Sequence, residues 1–80
     1  MSRARDLVEV VARALAASPD EVEVTEGERR GQTVVELSMA PGELGRVIGR
    51  QGRTATALRT LAAAAGELDG QKVAVEFVDE

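Results

Sequence analysis

The chain of 80 residues contains no cysteine, histidine, tryptophan or tyrosine, and Phe77 is its only aromatic residue. Without cysteine there are no disulfides or thiolate metal sites, and without histidine the commonest neutral-pH base and metal ligand is missing. Serine occurs only at positions 2, 18 and 38, away from any activating base, and the carboxylates are scattered rather than paired. The sequence therefore predicts a protein that is not an enzyme and that needs no metal or cofactor.

Long apolar runs and linker-like segments are missing as well. Glu9 and Arg13 interrupt the apolar stretch near the N terminus, so this stretch does not resemble a secretory signal. No segment approaches the roughly 20 apolar residues of a membrane span. A chain of this length has room for one small hydrophobic core. We therefore expect a single domain over residues 1–80, located in the cytoplasm and without a membrane partner.

The basic residues are concentrated in one part of an otherwise acidic chain. The net charge of the whole sequence is −4, yet residues 44–66 contain four arginines and no acidic residue. Outside this segment, fourteen acidic residues and six basic ones leave a net charge of −8. The arginines are Arg46, Arg50, Arg53 and Arg59. A local basic patch favours an anionic, phosphate-bearing partner, whatever the overall sign of the protein.

The first half of the chain predicts one helix and two strands. Apolar residues with helical spacing predict an amphipathic helix from Arg3 to Ala17, ended by Pro19. Its apolar face would consist of Leu7, Val10, Val11, Ala14 and Leu15. Alternating apolar residues then predict two strands, joined by the polar loop 27–31 into an antiparallel hairpin. The alternating residues are Val22 and Val24 in the first strand, and Thr33, Val35, Leu37 and Met39 in the second.

The second half predicts two further helices and a last strand. Pro41 suits the first turn of a helix, which the glycines at 49 and 52 break. This helix would carry Leu44, Val47 and Ile48. A longer helix over roughly 53–65 would stop at Gly66. It would bury Leu58, Leu61, Ala62 and Ala65. The last strand is indicated by the alternation of Val73, Val75 and Phe77.

This order of elements predicts an α+β fold with two layers. Three helices would cover one face of a three-stranded mixed sheet with strand order 1-2-3. The second and third strands would be parallel neighbours, because two helices connect them in a right-handed crossover.

The turn from Gly49 to Gly52 is the strongest candidate site. Glycine accepts a positive φ and lets the main chain approach the phosphates of a ligand. The helix that follows would favour an anion at its N terminus, and Arg46, Arg50 and Arg53 would supply positive charge. Residues 42–45 repeat the glycine spacing but include an acid, so we interpret that copy as the start of a helix.

The segment Val47-Ile48-Gly49-Arg50-Gln51-Gly52-Arg53 resembles the Gly-x-x-Gly signature of KH domains. The likeness covers nearly the whole chain, since residues 6–8, 19–22, 39–46 and 57–61 also fit and the predicted element order αββααβ matches the type II KH arrangement. Within that family the chain resembles the KhpA group, which are small stand-alone bacterial KH proteins. Thr54 departs from the pattern, because relatives often have a larger aliphatic residue there, and this would make the binding groove shallower or more polar.

The resemblance implies a single-stranded RNA-binding protein that acts as an RNA chaperone or post-transcriptional regulator. In such domains the glycine loop clamps about four nucleotides by their backbone while the bases lie over an apolar groove. Gly49 and Gly52 would shape the loop, and the flanking side chains would contact phosphates or line the groove. The implied site is Arg46, Val47, Ile48, Gly49, Arg50, Gln51, Gly52 and Arg53. Val35 and Leu37 would either join this groove or belong to the ordinary core.

Other interpretations stay open at this point. With one aromatic residue, stacking platforms of the RRM or OB type are excluded, but no residue distinguishes RNA from single-stranded DNA. The alanines at 55, 57 and 62–65 are either good helix formers or a flat surface for pairing. The resemblance implies pairing with a second copy or with a larger KH protein of the KhpB type, also called EloR or Jag. Mononucleotide binding is disfavoured, because the sequence contains neither the Gly-x-x-x-x-Gly-Lys-Ser/Thr pattern nor the Gly-x-Gly-x-x-Gly pattern of phosphate-binding loops.

Overall fold

The computed structural model describes residues 2–79, and its helices and strands follow the predicted order. The helices are α1 (Arg3–Leu15), α2 (Gly45–Ile48) and α3 (Arg53–Leu68), and the strands are β1 (Glu23–Arg29), β2 (Gln32–Ser38) and β3 (Val73–Val78). Short 3-10 turns lie at Pro19–Glu21 and Arg50–Gly52. The αββααβ order and the α+β class are thus confirmed. No helix within residues 2–79 is both long and apolar enough to cross a bilayer.

The sheet has the predicted order β1-β2-β3, with β1 antiparallel and β3 parallel to β2. Leu37 on the central strand pairs with Val24 on one side and with Phe77 on the other. The hairpin turn is shorter than the predicted loop, because Gly27 and Glu28 still pair within β1. Only Arg30 and Gly31 form the turn, both with positive φ, as the right-handed strand twist favours in a two-residue hairpin.

The hydrophobic core lies between one face of the sheet and the helices. It consists of apolar side chains from all three strands, from all three helices and from the connecting segments. These are Ala4, Val8, Ala12, Val22, Val24, Val35, Leu37, Met39, Val47, Leu58, Ala62 and Val75. The three helices therefore cover one face of the sheet, as predicted.

The buried face of α1 differs from the prediction. Ala4, Val8 and Ala12 are fully buried, whereas Val10 is 67% exposed and Leu15 is 38% exposed. Small residues at i, i+4 and i+8 let α1 lie close to α3, and the spacing of the larger apolar residues did not reveal this. The helix also ends at Leu15 rather than Ala17, because the backbone becomes extended at Ala16.

The bounds of α2 and α3 differ as well. Pro41 lies in a turn ahead of α2, where the Glu43 amide donates to the Ala40 carbonyl oxygen at 3.0 Å. The longer helix does not stop at Gly66, which is buried where α3 meets β3: a Cβ there would overlap the Val73 side chain. The helix ends after Leu68, and the chain turns at Gly70, which has a φ of 69°.

Leu61 is the one member of the predicted α3 stripe that does not contribute to the core. Its exposed fraction is 53%, whereas Leu58 and Ala62 are buried and Ala65 is half-buried. The prediction followed apolar character, but the core lies on the adjacent side of the helix.

Candidate nucleic-acid interface

α2 and α3 meet at the loop Gly49–Gly52, which reverses the chain within four residues. Gly49 has φ 74° and ψ 176°, a region that is nearly restricted to glycine. Gln51 (φ 58°, ψ 24°) and Gly52 (φ 71°, ψ 14°) are left-handed. The Gly52 amide donates to the Gly49 carbonyl oxygen at 3.2 Å, which closes the 3-10 turn. The shape of the loop therefore depends on these positive-φ conformations and on this backbone hydrogen bond.

Thr54 packs directly beneath Gly49. A Cβ at Gly49 would overlap Thr54 Oγ1 and lie 2.8 Å from Thr54 Cβ, whereas a Cβ at Gly52 would meet no atom within 4 Å. Gly49 is therefore required both for its conformation and for space, and Gly52 only for its conformation.

The loop presents main-chain amides to solvent. Arg50 and Gln51 are exposed, and within residues 2–79 their amides donate to no other group. The Arg53 amide donates to the Arg50 carbonyl oxygen, and Gly52 provides no side-chain cap for the amides that follow in the first turn of this 16-residue helix. Free amides and the positive end of a helix dipole together favour an anion at this position.

Three exposed arginines lie on the loop and in the helices on either side of it, namely Arg46, Arg50 and Arg53. Arg53 Nη2 donates to Gln51 Oε1 at 2.9 Å, which orients both side chains on the loop. Arg46 Nε lies 3.9 Å from Glu43 Oε1, the only carboxylate within ion-pair distance of these arginines in the described part of the chain. Most of the positive charge at the loop is therefore available to a ligand.

Glu43 anchors the segment that leads into α2. Its Oε1 accepts hydrogen bonds from the amides of Ala17 (2.7 Å) and Ser18 (3.2 Å), just beyond the end of α1. Burial opposes ionisation of this carboxyl group, but the hydrogen bonds from Ala17 and Ser18 and the charge of Arg46 outweigh it, so its pKa lies below the ordinary value. This contact could not be predicted from local sequence, because the partners are about 25 residues apart.

The apolar residues predicted for the groove lie mostly in the core. Val47, Val35 and Leu37 are fully buried, so Val47 fixes α2 from below and the core interpretation of Val35 and Leu37 is correct. Ile48 is 37% exposed and is the predicted groove residue that reaches the surface. The groove predicted from Val47 and Ile48 together is therefore reduced to Ile48.

Sequence reasoning missed a second surface feature beside the loop. The Arg59 guanidinium carbon lies 4.9 Å from the centroid of the Phe77 ring, and Arg59 Nε donates to the Val75 carbonyl oxygen at 3.4 Å. A signal was present, since Arg59 follows Gly52 by seven residues and so lies on the same side of α3. The sequence placed Phe77 in the last strand, but its contact with Arg59 could not be predicted from it.

Comparison with known proteins gives a consistent result. Residues 5–77 match the family model "KhpA/KhpB, KH domain". The protein from Aquifex aeolicus named RNA-binding protein KhpA is 46% identical over 99% of this chain and 100% of its own length. The proteins of the same name from Mycobacterium bovis (49% identical, 92% of this chain and 89% of theirs) and Caldanaerobacter subterraneus (44%, 91% and 97%) are also similar. No solved structure gives a significant match. The chain therefore belongs to the KhpA/KhpB family of KH-domain proteins.

Proposed function

We propose that the chain, as a single KH domain, binds single-stranded RNA by gripping its backbone at the loop Gly49–Gly52. The observation that carries this proposal is the loop itself, which exposes free amides next to arginines in a segment without acids. The amides of Arg50 and Gln51 would bind phosphate oxygens, and the guanidinium groups of Arg46, Arg50 and Arg53 would neutralise phosphate charge. Ile48 would provide the apolar contact beside the loop.

The relatives support an RNA partner, because those named above are called RNA-binding proteins. The acidic remainder of the chain is compatible with this, since the negative charges lie outside residues 44–66 and leave the loop locally positive.

Replacing Arg50 and Gln51 with aspartate, while keeping both glycines, tests the proposal. We expect the affinity for a short unstructured RNA to fall at least tenfold, because two carboxylates would repel the phosphates. Thermal unfolding should barely change, since both side chains are exposed. For the unmodified chain, contact with three or four phosphates gives a slope of log K against log salt of roughly −2 to −3.

A matched control is available at another turn of the molecule. Replacing Arg30 and Gln32 with aspartate alters the same residue types and the same net charge, at exposed positions of the β1–β2 hairpin. This variant should bind RNA far better than the loop variant. Equal losses in both variants would show that only net charge matters, and would contradict the proposed loop. The same titration with DNA of identical sequence measures whether the 2′-hydroxyl contributes.

One observation favours a second candidate function, pairing with another KH protein. Four apolar residues form an exposed row along α3, and they are Ala57, Leu61, Ala64 and Leu68. Leu61 and Leu68 are 53% and 72% exposed. A second copy, or the KH domain of a larger KhpB-like protein, would bury this row, and such pairing is compatible with RNA binding at the loop.

A further inference from the structure

Arg59 of α3 and Phe77 of β3 form a cation–π pair at the surface. The guanidinium lies over the ring with 4.9 Å between its carbon and the ring centroid, and Nε donates to the Val75 carbonyl oxygen. Arg59 is exposed and Phe77 is half-buried, so the guanidinium covers the ring and stays accessible to solvent.

The pair lies on the same side of α3 as the end of the loop. Gly52, Thr56, Arg59 and Ala63 follow each other at helical spacing, and the last three are exposed. Arg59 is seven residues beyond Gly52, which corresponds to about 10 Å along the helix. A nucleic-acid strand that runs from the loop along this side of α3 would reach Arg59 within the span of about four nucleotides that such a loop clamps.

The acidic residue between Val75 and Phe77 does not face the pair. Glu76 lies between Val75 and Phe77 in β3, but it alternates to the opposite face of the sheet and pairs there with Arg29 at 3.1 Å. The segment that carries Arg59 contains no acid from residue 44 to residue 66. The pair is thus a positively charged, planar surface.

We propose that the Arg59 guanidinium, supported by the Phe77 ring, is a platform on which one base of the bound RNA stacks. This inference rests on the proposed function and adds a base-contacting subsite to the backbone-binding loop. RNA bases stack on guanidinium planes as well as on aromatic rings, and the ring beneath fixes the orientation of the plane. A single aromatic residue excludes platforms of the RRM or OB type but is sufficient for a platform of this kind.

The test combines Arg59→Lys with RNAs that lack single bases. Lysine keeps the charge but has no planar group to stack on. A labelled six-nucleotide RNA and its six derivatives, each lacking one base, are titrated with the unmodified chain and with the variant. We expect one position at which base removal weakens binding to the unmodified chain about fivefold to tenfold. Arg59→Lys should weaken binding of the intact RNA by a similar factor. For this variant, removing the base at that position should cause no further loss of affinity.

Two further measurements separate stacking from charge and from folding. The salt dependence of binding should be the same for Arg59→Lys and the unmodified chain, because the charge is retained. Phe77→Leu should reproduce the loss with the intact RNA if its thermal unfolding shows a folded protein. Arg13→Lys, an exposed arginine on α1, serves as the matched control and should change nothing.

The possible failures are distinguishable. If Arg59→Lys binds every RNA like the unmodified chain, or weakens the intact and the base-free RNAs equally, the platform is wrong while the loop proposal stands. If the unmodified chain binds no RNA, both proposals fail.

Discussion

At the scale of single residues, Gly49 and Gly52 look equivalent in the sequence but differ in the structure. Both have positive φ, yet only Gly49 has a ψ of 176°, and only Gly49 lies against another side chain, that of Thr54. The conformation of Gly52 is left-handed, which other residues adopt at moderate cost, as Gln51 does in the same loop. The glycine spacing indicated the loop, but not which glycine is essential.

Gly49→Ala should therefore destabilise the protein much more than Gly52→Ala. We expect a loss of about 3 kcal/mol in the free energy of unfolding for Gly49→Ala, from the glycine-only conformation and the overlap with Thr54. For Gly52→Ala we expect about 1 kcal/mol, from the left-handed conformation alone. Urea unfolding measures both. Gly27→Ala is the control, because the φ of Gly27 is not positive and a Cβ there meets no atom within 4 Å. Equal losses of unfolding free energy for Gly49→Ala and Gly52→Ala would contradict the conclusion that Gly49 is the more constrained glycine.

At the scale of elements, α2 is too short to hold the loop by itself. Four residues form barely one helical turn, which is unstable without tertiary contacts. Val47 fixes it from the core, and Glu43 ties the preceding segment to the end of α1 through two amides. The position of the loop therefore depends on a carboxylate that lies outside the loop.

Glu43→Gln should reveal this dependence through pH. Because the pKa of Glu43 is lowered in the folded state, its charge stabilises the protein above the unfolded-state pKa, and this contribution is lost as the pH falls through the folded-state pKa. At pH 7 the variant should melt a few degrees lower than the unmodified chain. In strongly acidic solution, where Glu43 is protonated in both states, the two should melt alike. The exposed Glu21→Gln is the control, and a difference in melting temperature that persists in strong acid would exclude a role for the charge.

The elements themselves were predictable, whereas the faces they bury were only partly so. Period-two alternation of apolar residues identified the strands that pair through Val24, Leu37 and Phe77. On α1, the fully buried residues are Val8 and two alanines, Ala4 and Ala12, since close helix packing selects for small side chains and hydrophobicity alone does not show it. The Gly-x-x-Gly segment identified the loop from local sequence. Glu43 and Phe77 act through contacts made only after folding, so local sequence could not assign them.

At the scale of the whole molecule, α3 separates two surfaces. The row that contains Arg59 lies next to β3. At 3.6 residues per turn, the apolar row that contains Leu61 lies about 140° around the helix axis from the row that contains Arg59. RNA bound on the proposed side would therefore leave the apolar row free on the other. A single small module offers few contacts, so pairing two of them would increase the affinity for a long RNA without new chemistry.

Leu61→Glu tests this arrangement, because it places a charge in the middle of the apolar row. We expect the unmodified chain to have the mass of a dimer by light scattering at micromolar concentration, and the variant to have that of a monomer, since an unpaired carboxylate would be buried in the interface. Affinity for an RNA that fits one module should be unchanged, while affinity for an RNA long enough to span two should fall about tenfold or more. Val10→Glu is the matched control, as Val10 is an apolar residue on α1 that is also more than half exposed. If both variants keep the dimeric mass, the dimer does not use this row. If the unmodified chain is a monomer, the row does not mediate self-association, and the larger KH partner is the occupant left to test.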